Sequence, residues 1–297
     1  MAHSLGTRVF HYFLLWIEDT VGRRWIDEKI DLWIPVGPLW LGAPKSIRAT
    51  VSGERMGLED FLYPEEGIEL TRFASSAWMF PTHTPDFEFQ SYAFLRDEKT
   101  QKHVAKSTDD IMRAGDVSIH CEIYDRHYRQ NKYFVGDELL LKPPPIEKIF
   151  AIYGINLKTE TFFFFKENTS NSLTKLELDP TGQFPNYVVE GGIAYETKDT
   201  KQNMLKGKAR SGDGTVPYAS LAYCKKWRKD IKVRVEELEG ADHRVILRDK
   251  RFHRLVQYPL HALPLDRRAT VAAVPIARAD ARGAELRAPV IGEKELA

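Results

Sequence analysis

Ala2-His3-Ser4-Leu5-Gly6, followed by Thr7-Arg8-Val9-Phe10-His11-Tyr12-Phe13-Leu14-Leu15-Trp16-Ile17, is the stretch whose reading decides the fold. A serine with a small residue two places away on each side allows a chain to turn sharply from strand into helix. Behind it Leu5, Val9, Phe10, Phe13, Leu14, Trp16 and Ile17 recur at helical spacing, so residues 5–17 are predicted as an amphipathic helix with Ser4 at its mouth. A turn of this kind lifts the hydroxyl clear of the sheet and aims the next backbone amide, that of Leu5, at a developing oxyanion. The helix dipole acts in the same direction. Alone the pattern is weak, because a serine in this position is also an ordinary helix N-cap.

Working outward, residues 30–36 form a short apolar run closed by Gly37 and Pro38, which reads as a buried parallel strand. Residues 149–153 give a second such strand. Residues 232–238 give a third, with Val233 and Val235 alternating against charged neighbours. Residues 161–165 and 187–189 read as further extended segments, open to a hairpin excursion. The four consecutive rings from Phe162 to Phe165 are expected to face core on one side and a cap on the other. Between these runs, residues 52–145 lack strand–helix alternation and are rich in Phe, Trp, Pro and acidic residues, so they read as an inserted cap rather than a sheet layer. Within it Ser107, followed by Asp109 and Asp110, marks a helix start that Gly115 soon weakens. Pro143, Pro144 and Pro145 end it. The resulting division is 1–51 for the elbow, helix and first strand, 52–145 for the cap or lid, 146–258 for the rest of the core, and 259–297 for a tail without aromatic residues that is predicted disordered.

Two later loops complete a constellation. Ser211-Gly212-Asp213-Gly214-Thr215-Val216-Pro217 sets one carboxylate in a glycine-flanked turn able to aim it at an imidazole, although Asp beside Gly is also the usual composition of a plain Asx turn. Ala241-Asp242-His243 follows the strand at 232–238, which would bring His243 onto a loop at a strand end; a surface histidine is the alternative. Ser4, then Asp213, then His243 is the chain order of the α/β-hydrolase triad and not that of trypsin-like or subtilisin-like enzymes. Each falls at the end of a predicted strand. The fold expected is therefore α/β, of the α/β-hydrolase type. His243 would serve as general base, Asp213 would hold its tautomer, and Ser4 would attack an ester carbonyl to leave an acyl-enzyme. Whether water or an alcohol then takes the acyl group separates a hydrolase from a transferase.

Composition removes other classes. The 297 residues are 43% hydrophobic and 29% charged with a net charge of +1, which argues against a disordered chain and against nucleic acid as a partner. The basic run of Lys225, Lys226, Arg228 and Lys229 around Trp227 reads as a solvated helix face. Cys121 and Cys224 permit at most one internal disulfide. His120, Cys121, Asp125 and His127 fit no standard zinc spacing, so neither a metal nor another cofactor is expected. No stretch approaches the ~18 uncharged apolar residues of a membrane span.

In combination, six segments resemble the lecithin:cholesterol acyltransferase-like family, and in particular its phospholipid:diacylglycerol acyltransferase branch. They are AHSLGTRVFHYFLLW at 2–16, PVGPLWLGAPKSIRATVSGERMGL at 35–58, FASSAWMFP at 73–81, PPPIEKIFAIYGINLKTE at 143–160, AYETKD at 194–199 and SGDGTVPYASLAYCKKW at 211–227. The resemblance implies Ser4 as nucleophile, Asp213 as acid, His243 as base and the Leu5 amide as an oxyanion donor. It implies transfer of an acyl group from a phospholipid to a diacylglycerol or sterol hydroxyl without acyl-CoA, at a membrane surface, which for eukaryotic members is usually the endoplasmic reticulum. A phospholipase of the same family and an inactive lipid-binding fragment are the alternatives. Two departures stand out: Ala2 replaces the usual elbow glycine, and the stretch between Pro81 and Pro143 is shorter than the family's cap. The elbow also arrives at the fourth residue with nothing in front of it. The fold is accordingly expected to be incomplete at the N-terminus, with flanking strands, any anchor and a second oxyanion donor, worth about 2.7–4 kcal/mol, lying upstream.

Overall fold

A short apolar run bounded by Gly or Pro can be buried on both faces only if its amides and carbonyls are paired with a neighbouring strand. The computed structural model, which describes residues 1–53, 61, 63–82, 91–133, 141–170, 174–198 and 210–257, pairs these runs in parallel. In chain order the elements are β1 (Ala2–His3), α1 (Leu5–Thr20), α2 (Arg23–Lys29), β2 (Pro35–Val36), α3 (Lys45–Arg48), α4 (Pro64–Glu69), α5 (Ala74–Ala77), β3 (Ala93–Arg96), β4 (His103–Lys106), α6 (Thr108–Ala114) and α7 (Ser118–Tyr124). After these come β5 (Lys148–Ile155), β6 (Thr159–Glu167), β7 (Leu176–Leu178), β8 (Val188–Glu190), β9 (Ile193–Glu196), α8 (Tyr218–Ala222), β10 (Lys232–Glu239) and α9 (Lys250–Gln257).

The strands β1, β2, β5 and β10 lie side by side in that order, all parallel. The pleat of β5 shows how the sheet is filled. Ile149, Ala151 and Tyr153 face a large core shared with Leu14 and Ile17 of α1, whereas Phe150 and Ile152, one step out of phase, face Val36, Leu238 and Phe252 of α9. Parallel strands covered on both faces are the expected α/β layering. The run at 30–36 forms a shorter strand than its apolar length suggests: only Pro35–Val36 joins the ladder, with Trp33 bridging to Ile149.

The helical spacing behind Ser4 becomes α1, whose buried face carries Thr7, Arg8, His11, Leu14 and Ile17. Thr7 and Arg8 staple this helix to the loop after β2: the Arg8 Nε donates to the Leu39 carbonyl at 2.7 Å, and the Leu39 amide donates to the Thr7 hydroxyl at 3.2 Å. Among the described residues nothing accepts from the buried Nη1 and Nη2 of Arg8. The neighbouring His11 ring sits among Trp33, Trp40 and Trp227, with ring centroids 6.1–6.2 Å away.

A second, mixed sheet runs β4, β3, β6, β9, β8, with β7 also on β6. Its β3–β6 pair is parallel and the others are antiparallel. Residues 52–145, expected as a cap, contribute β3 and β4 to this sheet, which therefore runs across residue 145. Four residues of β3 are too few to display alternation; pairing with Phe163, Phe164 and Phe165, distant in sequence, is what makes them a strand. All four rings of the phenylalanine run are buried, with Phe163 and Phe165 in the main core and Phe162 and Phe164 packed with Phe94, Phe184 and Tyr187. Arg48 ties α3 to β6 of this sheet by donating through Nε and Nη2 to both carboxylate oxygens of Glu160, at 3.0 and 2.9 Å.

The helix start at Ser107 is present, its hydroxyl accepting from the Asp110 amide at 3.1 Å. The basic run is only partly a solvated face, since Lys225 turns inward to Glu237 and the Tyr218 hydroxyl, and Trp227 is buried. Cys121 and Cys224 are both buried free thiols, and His120 bonds the Thr71 hydroxyl at 2.8 Å. Among the described residues no helix is long and apolar enough to cross a membrane. The tail at 259–297 lies outside the described residues.

Burial, reinforced by the adjacent positive charge of Arg8, holds the His11 imidazole down at about 3 against an ordinary value of 6.5. Stability linked to His11 is therefore fully present above pH ~6.5 and is lost as the pH falls toward 3, because the unfolded chain takes up the proton first. Chemical denaturation is expected to show a loss of about 2 kcal/mol from this residue between pH 7 and pH 5. His11→Phe should remove that part of the slope; an unchanged slope would contradict it.

Candidate active site

β1 ends at His3 and α1 begins at Leu5, so Ser4 alone makes the corner. Its backbone sits at φ 53 and ψ −128, a conformation that costs a non-glycine residue about 1–3 kcal/mol. Both sides of the peptide are pinned. The Ser4 amide donates to the Val36 carbonyl of β2 at 3.0 Å, and the Ser4 carbonyl accepts from the Thr7 amide at 2.9 Å and the Thr7 hydroxyl at 2.7 Å. Ala2 is accommodated in this turn, for even a Cβ built on Gly6 would stand 3.9 Å from its methyl group. Leu5 is the first residue of α1, so its amide has no acceptor within the helix and is available to an external oxygen.

The three residues singled out by chain order meet. The His243 Nε2 lies 2.9 Å from the Ser4 Oγ, and its Nδ1 lies 2.7 Å from the Asp213 Oδ2. The carboxyl side chain is fully buried and the imidazole is 5% exposed, so both interactions act where water screens them little. The second oxygen of Asp213, Oδ1, accepts from the amides of Val216 at 2.8 Å and Thr215 at 3.2 Å, which fixes the carboxylate within its own loop. The backbones of the two loops are joined as well, the His243 amide donating to the Asp213 carbonyl at 3.0 Å. From the other side His3 donates its Nε2–H to the His243 carbonyl at 2.9 Å. Burial keeps that imidazole below its usual range.

Two glycines leave the space that this arrangement occupies. At Gly37, where φ is +52, an added Cβ would stand 3.0 Å from Cε1 and Nδ1 of His243. At Gly154, near the end of β5, it would stand 1.7 Å from the Ala241 carbonyl oxygen, in the loop that delivers His243. Glu196, the last residue of β9, is fully buried behind the acid loop and accepts from the Tyr218 amide at 2.6 Å. Burial is the main reason that its carboxyl is pushed up to about 8; the amides of Tyr218 and Gly212 work in the other direction, and the charge of Asp213 adds to the rise. Sequence reasoning passed over all three. Gly37 looked like the end of a strand, Gly154 like a strand terminator, and Glu196 was part of AYETKD with no role attached to it. A carboxylate closing a strand that otherwise faces core was the one available signal.

A family model described as Lecithin:cholesterol acyltransferase matches residues 1–114 and 97–250. The chain is 26% identical over 300 residues to the Phospholipid--sterol O-acyltransferase of Arabidopsis thaliana, covering 76% of the chain and 45% of that protein. It is 24% identical over 285 residues to the Phospholipid:diacylglycerol acyltransferase of Saccharomyces cerevisiae, covering 76% and 40%. It is also 24% identical over 247 residues to the Lysosomal phospholipase A and acyltransferase of Rattus norvegicus, covering 82% and 48%. The chain thus spans about half the length of the curated relatives it matches.

The close approach at Gly154 gives a direct test of the packing behind the site. Gly154→Ala is expected to lower stability by about 3 kcal/mol, an overpacking cost that neighbouring backbone cannot relieve. Gly6→Ala, which meets only the Ala2 methyl, should change it by less than about 1 kcal/mol. Thermal unfolding of both variants checks this, and a Gly154→Ala chain as stable as the native one would contradict the geometry.

Proposed function

We propose that this chain, which belongs to the lecithin:cholesterol acyltransferase family, carries a serine-dependent O-acyltransferase centre that moves an acyl group from a phospholipid to a diacylglycerol hydroxyl without acyl-CoA. The observation that carries the reading is the unbroken relay from the Ser4 Oγ through His243 to the Asp213 carboxylate, at 2.9 and 2.7 Å.

In this reading His243 Nε2 takes the Ser4 proton as the hydroxyl oxygen attacks the ester carbonyl, and Asp213 stabilises the imidazolium through Nδ1–H. The Leu5 amide donates to the oxyanion of the tetrahedral intermediate. Collapse of that intermediate breaks the ester bond, His243 returns the proton to the departing lysophospholipid alkoxide, and an acyl-Ser4 ester remains. The acceptor hydroxyl then occupies the vacated side. His243 removes its proton, the acceptor oxygen attacks the acyl-enzyme, and the Ser4 hydroxyl is restored as triacylglycerol leaves. The protein supplies orientation and proton transfer throughout, so the chemistry asks for no cofactor.

Lipid substrates fit the exposed rings of one segment of the chain. Phe61, Tyr63 and Phe73, which flank α4 in sequence, are 80%, 75% and 66% exposed, a concentration of ring surface suited to a lipid interface. A sterol in place of diacylglycerol would enter by the same step. Water as acceptor is the second reading, favoured by the rat relative whose name joins phospholipase and acyltransferase activities.

The test uses phospholipid labelled in its acyl chain, with the protein as its gene encodes it. Added diacylglycerol is expected to divert label from free fatty acid into triacylglycerol, and Ser4→Ala should abolish both products by at least about a thousandfold. Label that stays in fatty acid whatever the acceptor would make the protein a phospholipase. Unaltered turnover in Ser4→Ala would remove the serine mechanism altogether.

A further inference from the structure

We propose that Glu196 is a positioning residue for the reaction: its buried carboxyl holds the acid loop at the Tyr218 amide and thereby keeps Asp213 against His243. The inference rests on the reading of Ser4, His243 and Asp213 as a working triad.

A loop that carries a catalytic acid must keep its own amides satisfied without borrowing the acid's outer oxygen. The amides from Ser211 to Tyr218 can be followed one by one. Ser211 donates to the Asn156 Oδ1 at 3.4 Å, Asp213 to the Val216 carbonyl at 3.3 Å, and Gly214 to the Thr159 hydroxyl at 3.0 Å. Thr215 and Val216 donate to the Asp213 Oδ1, and Pro217 has no amide hydrogen. Two amides are left, those of Gly212 and Tyr218, one on each side of Asp213, and both act on the carboxyl of Glu196. Tyr218 does so at 2.6 Å from Oε1. Oδ2 of Asp213 is thereby left for the imidazole.

The placement of Glu196 is equally determined. It ends β9 opposite Thr159 in the β6–β9 ladder, so the residue that holds Gly214 and the residue that holds Tyr218 are cross-strand partners on one sheet. Through them the second sheet sets the position of an acid whose base hangs from the first. The Glu196 Oε2 has no hydrogen-bond partner among the described residues, so the second oxygen contributes no bond that a neutral amide would lose. A carboxyl kept protonated at neutral pH also spares Asp213 a second buried negative charge. Glutamine has the shape of that protonated acid and keeps the oxygen that Tyr218 needs.

Glu196→Gln, Glu196→Asp and Glu196→Leu are compared with Ser4→Ala in the phospholipid assay, with kcat, KM, the pH profile of kcat and thermal unfolding measured for each. Glu196→Gln should keep kcat within about threefold of native. Glu196→Leu, and Glu196→Asp with its carboxyl drawn back by one methylene, should lose kcat at least thirtyfold with KM within threefold. In those two variants the acidic limb of the kcat profile should move to lower pH, because an imidazolium without a well-placed Asp213 is less stable. If Glu196→Leu fails to fold, the Gln and Asp pair decides. A folded Glu196→Asp with native kcat and an unmoved acidic limb overturns the proposal, as does a folded Glu196→Gln as impaired as the Asp variant. An active Ser4→Ala overturns instead the triad reading beneath it.

Discussion

The backbone of one serine constrains the rest of the site. Ser4 holds φ 53 and ψ −128 with a Cβ present, and nothing local to the residue favours that conformation. It persists because Val36 of β2 receives the Ser4 amide and the first turn of α1 receives its carbonyl. Strand and helix therefore have to be in place before the hydroxyl can stand free of the sheet. A loop serine would reach the same point in space only some of the time; this one is held there by two elements of secondary structure.

The partners of Ser4 are delivered by the same logic from more distant parts of the chain. Asp213 comes from the loop before α8 and His243 from the loop after β10. β10 pairs with β5 residue for residue from Lys232–Lys148 to Glu239–Ile155, and just past the end of β5 the amides of Asn156 and Leu157 donate to the Ser211 and Gly212 carbonyls, which brings the two loops to one edge. At that edge the groups fit because two positions lack side chains. Gly37 leaves room for the imidazole and Gly154 leaves room for the Ala241 backbone. Around them the loops are anchored by side chains: His3 donates to the His243 carbonyl, and Thr159 and Glu196 accept from amides of the acid loop. The chemistry proposed for the centre depends on three side chains. Their alignment depends on at least five further residues.

Much of this was legible in the residues themselves, for identifiable reasons. The corner at Ser4 was readable because small residues at positions 2 and 6 and the apolar period behind them are local signals, and the parallel strands were readable as short Val- and Ile-rich runs closed by glycine. The chain order of Ser4, Asp213 and His243 supplied the fold class, since order survives when spacing does not. The second sheet was legible only at residues 161–165 and 187–189, which lie on β6 and overlap β8. β3, β7 and β9 are three or four residues long, and β3 and β9 meet β6 only across long stretches of chain, so pairing rather than local pattern defines them. One sheet accordingly draws strands from both sides of residue 145. Glu196 was hidden for a related reason: the amide it accepts from, that of Tyr218, lies 22 residues away, outside any window around it.

The central claim is that the Ser4 oxygen is made nucleophilic by His243. A fluorophosphonate that forms a covalent adduct with activated serines, followed by mapping of the labelled peptide, tests it most directly. The account requires a single adduct on Ser4, forming at a rate that collapses in His243→Ala while the fold is retained. An adduct on another serine, or labelling of Ser4 that is as fast without the imidazole as with it, would contradict the account.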